Sequence, residues 1–290
     1  MAVIGRTAEV RGITFGDAWR SFRTAIGLGW AVESNWSDPF LFGVYTLAKP
    51  LAAALILVVM FQVITGGQGT EFLQFMIVGS ALWNIVFGVM GGMVQSILED
   101  RERYRMLKYV VVTPASLFPF LLGRSLARVL ISFIAVALTL FVGVAFLGVE
   151  LRPNLLYLVP ATVLGILAVM SLGLFMAGWC LQLRQEAWHY PEAIAGALYL
   201  VSGAIFPIDA LPPILHPIAF ALPTTWWLEA SRRGLLGHGS PGMLGDLSDP
   251  VVMLFLLVST ALAIPIGLGL FTWFMRRARQ AGLLDMTTGS

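Results

Sequence analysis

Long apolar runs separated by short polar breaks dominate the pattern of this 290-residue chain. Six runs stand out: about Phe40 to Thr65, Phe72 to Leu98, Leu117 to Leu147, Leu156 to Leu181, Pro191 to Phe206 with a broken continuation to Trp227, and Val251 to Met275. The unbroken runs have the roughly twenty residues that cross about 30 Å of hydrocarbon at about 1.5 Å per residue. They are continuous rather than alternating, which selects helices over a β-barrel. The expected fold is an all-α membrane protein with six transmembrane helices. No internal repeat or low-complexity linker divides it. No cleavable signal peptide is expected, because the first run begins only after about forty mostly polar or amphipathic residues.

Ahead of the first run, Phe15, Trp19, Phe22, Ile26 and Trp30 are spaced 4, 3, 4 and 4, which puts them on one helical face. Asp17, Arg20, Arg23 and Thr24 occupy much of the other face. This predicts an N-terminal amphipathic interfacial helix in the cytoplasmic headgroup layer; an aqueous helix packed on a partner would show the same periodicity. Asn35 to Pro39 then turns the chain into the membrane.

The fifth run has a different grammar. Pro191 followed by Glu192 reads as a helix start and Phe206-Pro207 as a stop, so the segment reaches only roughly 24 Å. The stretch from Pro207 through Pro212, Pro213, Pro217 and Pro223 to Trp227 is too apolar for an ordinary outer loop, and its prolines forbid one straight helix. A re-entrant helical hairpin after the fifth span is expected, with Trp226 and Trp227 at the interface. A folded external cap is the alternative.

Composition agrees with the membrane reading: 58% of residues are hydrophobic, only 12% are charged, and mean hydropathy is +0.84. Placing the N-terminus inside puts Arg6, Arg11, Arg20, Arg23, Arg101, Arg103, Arg105, Lys108, Arg124, Arg128, Arg184, Arg276, Arg277 and Arg279 on or near the cytoplasmic side, leaving only Arg152, Arg232 and Arg233 outside. The positive-inside rule then sets both termini in the cytoplasm. A net charge of +2 gives no reason to expect a nucleic-acid partner. Cys180 has no second cysteine to pair with, and His189, His216 and His238 lack metal-site spacing. The spans carry no central carboxylate, which disfavours ion-coupled transport. Lys49, directly before Pro50, either faces a polar cavity or lipid phosphate, or snorkels to the interface from the start of its span.

Charge is concentrated in Glu99-Asp100-Arg101-Glu102-Arg103-Tyr104-Arg105-Met106-Leu107-Lys108, between two apolar runs and closed by Thr113-Pro114. Further on come Leu200-Val201-Ser202-Gly203-Ala204-Ile205-Phe206-Pro207, Leu211-Pro212 and Leu222-Pro223-Thr224. Over nearly the whole chain this order of parts resembles the ABC-2 type permeases of ATP-binding cassette exporters. The Glu-Arg-Gly-Thr often found before the Thr-Pro is absent here, where Arg103-Tyr104-Arg105-Met106 stands instead.

The resemblance implies a transport subunit of a bacterial-type cell (inner) membrane: a cytoplasmic segment 1–39, a six-helix domain 40–276 with a coupling loop at 99–116 and a re-entrant segment at 207–227, and a cytoplasmic tail 277–290. It implies that Glu99, Asp100, Arg101, Glu102, Arg103, Tyr104, Arg105, Met106, Leu107 and Lys108 form a coupling helix seated on a separate nucleotide-binding ATPase; without the resemblance, a solvated loop obeying the positive-inside rule explains them equally. No G-x-x-x-x-G-K-[ST] phosphate loop occurs in the chain, so ATP and Mg would be bound by the partner. A second permease copy, or a related permease, would enclose a path lined by Trp83, Asn84, Phe87, Met90, Tyr199, Ser202 and Phe206, groups suited to an amphipathic cargo. Each of these also fits ordinary packing or lipid contact, as do Gly79, Gly88, Gly91 and Gly92 on the second run. The expected activity is efflux of hydrophobic or amphipathic small molecules, including drugs. Export of a lipid-linked glycan is the alternative, and a passive channel or structural membrane subunit ranks lower.

Overall fold

The computed structural model describes residues 15–34, 70–105, 107, 109, 117–183 and 189–283, with nine single positions between 40 and 63. Among these residues all regular structure is helical. Helix α1 is Phe15–Ser34. Helix α2 is Thr70–Leu98, extended by a π-turn at Glu99–Arg103. Then follow α3 (Leu117–Leu147), α4 (Leu155–Cys180) and α5 (Tyr190–Val201). Two 3₁₀ turns lead to α6 (His216–Ala221), α7 (Pro223–Leu236) and α8 (Asp249–Gln280). The turn at Asn35 to Pro39, Lys49, Met106, Lys108 and the Thr113-Pro114 motif lie outside the described residues.

Four segments are long and apolar enough to cross a membrane: Glu71–Arg103, Phe120–Leu147, Leu155–Cys180 and Asp249–Gln280. They coincide with the second, third, fourth and sixth apolar runs. The first run lies outside the described residues apart from the nine positions, each of which is helical. The fifth run is short, as its prolines require. Helix α5 has 12 residues, about 18 Å of rise. It ends earlier than the Phe206 stop expected from the sequence, because Gly203 takes a left-handed backbone (φ +71°) that an α-helix cannot continue through.

Helix α2 is the centre of the bundle: 72% of its apolar window is buried, against 22–33% for the other three spanning helices. Glycines set its close approaches. A Cβ on Gly88 or Gly92 would run into Ser132 or Arg128 of α3, and one on Gly173 of α4 would press on Met90 and Met93. Small residues of this kind let helix backbones pack without lipid between them. Of the four glycines singled out on this run, Gly91 alone faces open space.

Helix α1 lies along α3. Ala25 and Gly29 are buried there, and a Cβ on Gly29 would stand 2.6 Å from the Arg124 carbonyl oxygen. The expected aromatic stripe therefore divides. Phe22 and Ile26 pack partly against the bundle, while Trp19 (56% exposed) and Trp30 (51%) point away from it. Arg20, Arg23 and Thr24 are exposed, as their periodicity requires.

The segment after the fifth helix is broken at its prolines. It forms short helices, but Trp226 and Trp227 are core residues rather than interfacial ones. All 14 residues of α7 are buried, and Trp227 is fully so. The Trp227 indole occupies a slot in α4 that exists because residue 165 is glycine; any Cβ there would collide with the ring. Trp226 stacks on Phe255 of α8 at 4.4 Å and donates its indole N–H to the Phe220 carbonyl at 2.9 Å. The bundle thus has two distinct ends. One, here the basic end, holds the π-turn, the start of α3 and the C-termini of α4 and α8; the opposite end is filled by α7.

Candidate functional site

The charged stretch begins where α2 widens. The π-turn closes with the Tyr104 N–H donating to the Glu99 carbonyl at 2.8 Å, a register that inserts one extra residue per turn and is enriched at functional positions. Widening turns Glu99, Asp100 and Arg101 inward, where all three are buried. Arg124 of α3 answers both carboxylates, at 3.0 Å from Glu99 and 2.8 Å from Asp100, and Arg128 reaches Glu99 at 3.2 Å. Arg101 donates to the carbonyls of Cys180 and Leu181 at 3.4 Å each and pairs with Glu102 at 2.6 Å. The π-turn is thereby tied to the start of α3 and to the end of α4.

Of the ten residues in this stretch, Glu99, Asp100, Arg101 and Leu107 are buried within the chain. Glu102 is half-buried, and Arg103, Tyr104 and Arg105 face outward. Two guanidinium groups flank the Tyr104 ring, Arg103 at 5.7 Å and Arg124 at 5.6 Å from its centroid. The ring is one layer linking the exposed tip to the buried ion pairs. Arg105 holds φ +50°, a left-handed conformation that is costly for a residue with a Cβ.

The seven residues expected to line a path are brought together only in part. Trp83 is buried and packs its ring against Tyr199 of α5 (5.1 Å) and edge-on to Phe87 (6.3 Å). Asn84 is half-buried, its amide donating to the Ser80 and Ala81 carbonyls at 3.1 Å. Met90 is sealed against α4 and Ser202 is buried, sharing a 2.9 Å hydrogen bond with Thr224. Phe206 is exposed beyond the end of α5. What α2 leaves uncovered includes Asn84, Phe87, Gly91 and Gln95, which share one helical face by their i, i+3, i+7, i+11 spacing.

A second charged network, at the opposite end, has no role in the sequence reading beyond its place outside. Arg233 of α7 pairs with Glu229 and with Asp249 of α8, each at 2.7 Å, and donates to the Leu244 and Leu247 carbonyls at 2.7 Å. The Glu229 carboxylate also accepts the Ser240 N–H at 3.1 Å. Burial opposes the Arg233 charge, but hydrogen bonds to Glu229 and Asp249 outweigh it and raise its pKa above the ordinary value. Its neighbour Arg232 is 2% exposed, lies with its guanidinium carbon 3.7 Å from the Phe75 ring centroid, and donates to the Gly203 and Ala204 carbonyls at 2.9 and 2.8 Å. Burial brings its pKa down to about 10, opposed by the charge of Glu229, so it remains a cation at neutral pH. The i, i+4 placement of Glu229 and Arg233 is a helical ion-pair signal present in the sequence. Among the described residues no group of His, Cys, Asp and Glu could hold a metal ion, and Cys180 is buried.

Comparison with known proteins agrees with this architecture. The family model of the ABC-2 type transporter matches residues 28–236. The probable multidrug ABC transporter permease YbhS of Escherichia coli (strain K12) is 24% identical over 200 residues, covering 67% of this chain and 49% of that protein. Nodulation protein J of Neorhizobium galegae is 30% identical over 112 residues, covering 38% of this chain and 42% of that protein. The chain spans about half the length of the curated relatives it matches. With the family model covering most of its length, and with four helices long and apolar enough to cross a membrane, the chain belongs to the ABC-2 type transporter family.

Proposed function

We propose that the chain is the membrane-spanning permease subunit of an ATP-driven exporter that moves hydrophobic or amphipathic small molecules, drugs included, out of the cytoplasm or inner leaflet. The observation that carries this reading is the basic-end turn. Arg103, Tyr104 and Arg105 face outward and are backed by buried ion pairs that reach α3 and α4. A backed cationic and aromatic tip suits a polar-rimmed groove on an ATP-binding partner, and, with no phosphate loop in the sequence, this reading gives hydrolysis to that partner.

In this reading the basic end is cytoplasmic, with both termini on that side. The run at 40–65 and the short α5 complete six membrane segments, and the helices after α5 dip into the outer leaflet. Two permeases meet along the uncovered stripe of α2, where Phe87, Asn84 and Gly91 offer an apolar and amide-bearing wall. The multidrug name of the E. coli relative favours a small hydrophobic cargo. Co-purification with an ATP-binding subunit, followed by hydrolysis assays across drugs, lipids and lipid-linked sugars, tests the reading. Stimulation by drugs or lipids is expected; stimulation by a glycan lipid alone would replace the cargo assignment, and failure to associate with any ATPase would remove the reading.

A further inference from the structure

Arg232 is a buried cation that the proposed coupling does not use, and its contacts fall where the fifth apolar segment breaks against α2. One nitrogen, Nη2, holds two consecutive carbonyls, those of Gly203 and Ala204, immediately past the last turn of α5. The face of the same guanidinium lies on the Phe75 ring of α2. One helical turn along α2, Gly79 has no side chain, and the Ala204 carbonyl and the Arg232 guanidinium occupy the space a Cβ would take. Beside them Ser202 and Thr224 share their buried 2.9 Å hydrogen bond. Three elements, α2, the end of α5 and α7, are therefore fastened at one level, and the next aromatic layer toward the basic end is Trp83 on Tyr199.

We infer that Arg232 is a positioning residue for transport: it pins the end of α5 to α2 and keeps the outer end of the α2–α5 seam shut. The inference rests on the permease reading for its meaning, since a seam needs closing only if cargo moves along it. Physically, a desolvated guanidinium aimed at helix-end carbonyls is a strong but few-point fastening. Carbonyls past the last helical turn have no intrahelical donor, so they accept from Arg232 instead. The stacked aromatic face supplies the remaining stabilisation of the charge. Losing the pin frees Ser202 to Ala204 without removing any wall residue of the seam.

The test is thiol accessibility from outside. Ser202→Cys is introduced while Cys180, buried at the opposite end of the bundle, is kept as an internal control, and cells are labelled with an impermeant maleimide before each site is quantified by peptide mass spectrometry. The introduced thiol should be protected when Arg232 is present and label at least about tenfold faster with Arg232→Met, the loss expected for even one of its two charge-assisted hydrogen bonds. Arg232→Lys should restore part of the protection and Cys180 should stay unlabelled throughout. Should Arg232→Met fail to accumulate, Phe75→Leu, which keeps the site apolar but removes the stacking face, should still raise labelling of the introduced thiol about threefold. Equal labelling of that thiol with and without the pin, or a rise there matched by one at Cys180, would overturn the inference. Loss of ATP-driven export by the parent would instead strike the permease reading and leave the accessibility result standing.

Discussion

Asp100 and Arg124 form a 2.8 Å ion pair whose two side chains are almost wholly removed from solvent. A buried pair of this kind contributes little net stability against apolar replacement, but losing one partner strands the other. Arg124→Met strands Asp100, leaves Glu99 to Arg128 alone, and should lower stability by about 3–5 kcal/mol. Adding Asp100→Asn to it should recover part of the loss. Thermal unfolding of the purified protein in detergent, run as a double-mutant cycle, checks the coupling; additive effects would contradict it.

Arg105 separates backbone from side chain. Its φ of +50° suits glycine better than arginine, so Arg105→Gly should keep the turn and relieve about 1 kcal/mol of strain. If the guanidinium is what the ATPase partner reads, the same variant should lose about tenfold or more of substrate-stimulated hydrolysis, the worth of one charge-assisted contact, with an unchanged or slightly raised Tm. Full stimulation by Arg105→Gly would move the contact elsewhere on the tip.

Gly165 is required by Trp227 rather than by any flexibility of α4. A methyl group there would occupy the position of the indole ring, and overpacking of a filled core costs about 1–3 kcal/mol. Gly165→Ala should therefore lower Tm and shed protease resistance near α7, and adding Trp227→Leu should restore part of both by vacating the slot. A neutral Gly165→Ala would mean that α7 is looser than its burial implies.

The uncovered face of α2 predicts a change in cargo rather than in stability. Phe87 is 42% exposed, so Phe87→Ala should shift Tm little while altering the ranking of cargoes in a hydrolysis panel by about threefold or more for the largest aromatic compounds. Met90→Ala, which empties a sealed contact between α2 and α4, should do the reverse: destabilise by about 2–5 kcal/mol and leave the ranking alone.

Periodicity and length make most of the fold legible. Leu117 to Leu147 reads as one helix because nothing polar or conformationally awkward interrupts it for long, and the helicity of α1 follows from spacing, though not the division of its aromatic stripe between the bundle and the outside. The inward turn of Glu99, Asp100 and Arg101 is not legible. A run of charges reads as surface unless its partners are known, and Arg124 and Arg128 lie a full loop away in the chain. Trp226 and Trp227 mislead for a related reason. Tryptophan beside an apolar run reads as an interfacial anchor, and only the glycine at 165, on another helix, reveals the slot that buries Trp227. The end of α5 falls before the proline stop because a left-handed glycine, Gly203, ends a helix as firmly as Pro207 does.

The central claim is that cargo moves through this chain at the expense of ATP hydrolysed by a partner seated on the Arg103 to Arg105 tip. Its most direct test is uptake of a hydrophobic dye by inside-out vesicles containing this chain, with and without its co-purifying ATP-binding subunit. Uptake that requires both subunits, ATP and Mg²⁺, and that collapses in Arg105→Gly while the protein remains folded, is the expected result. Uptake by this chain alone, or uptake indifferent to ATP, would contradict it.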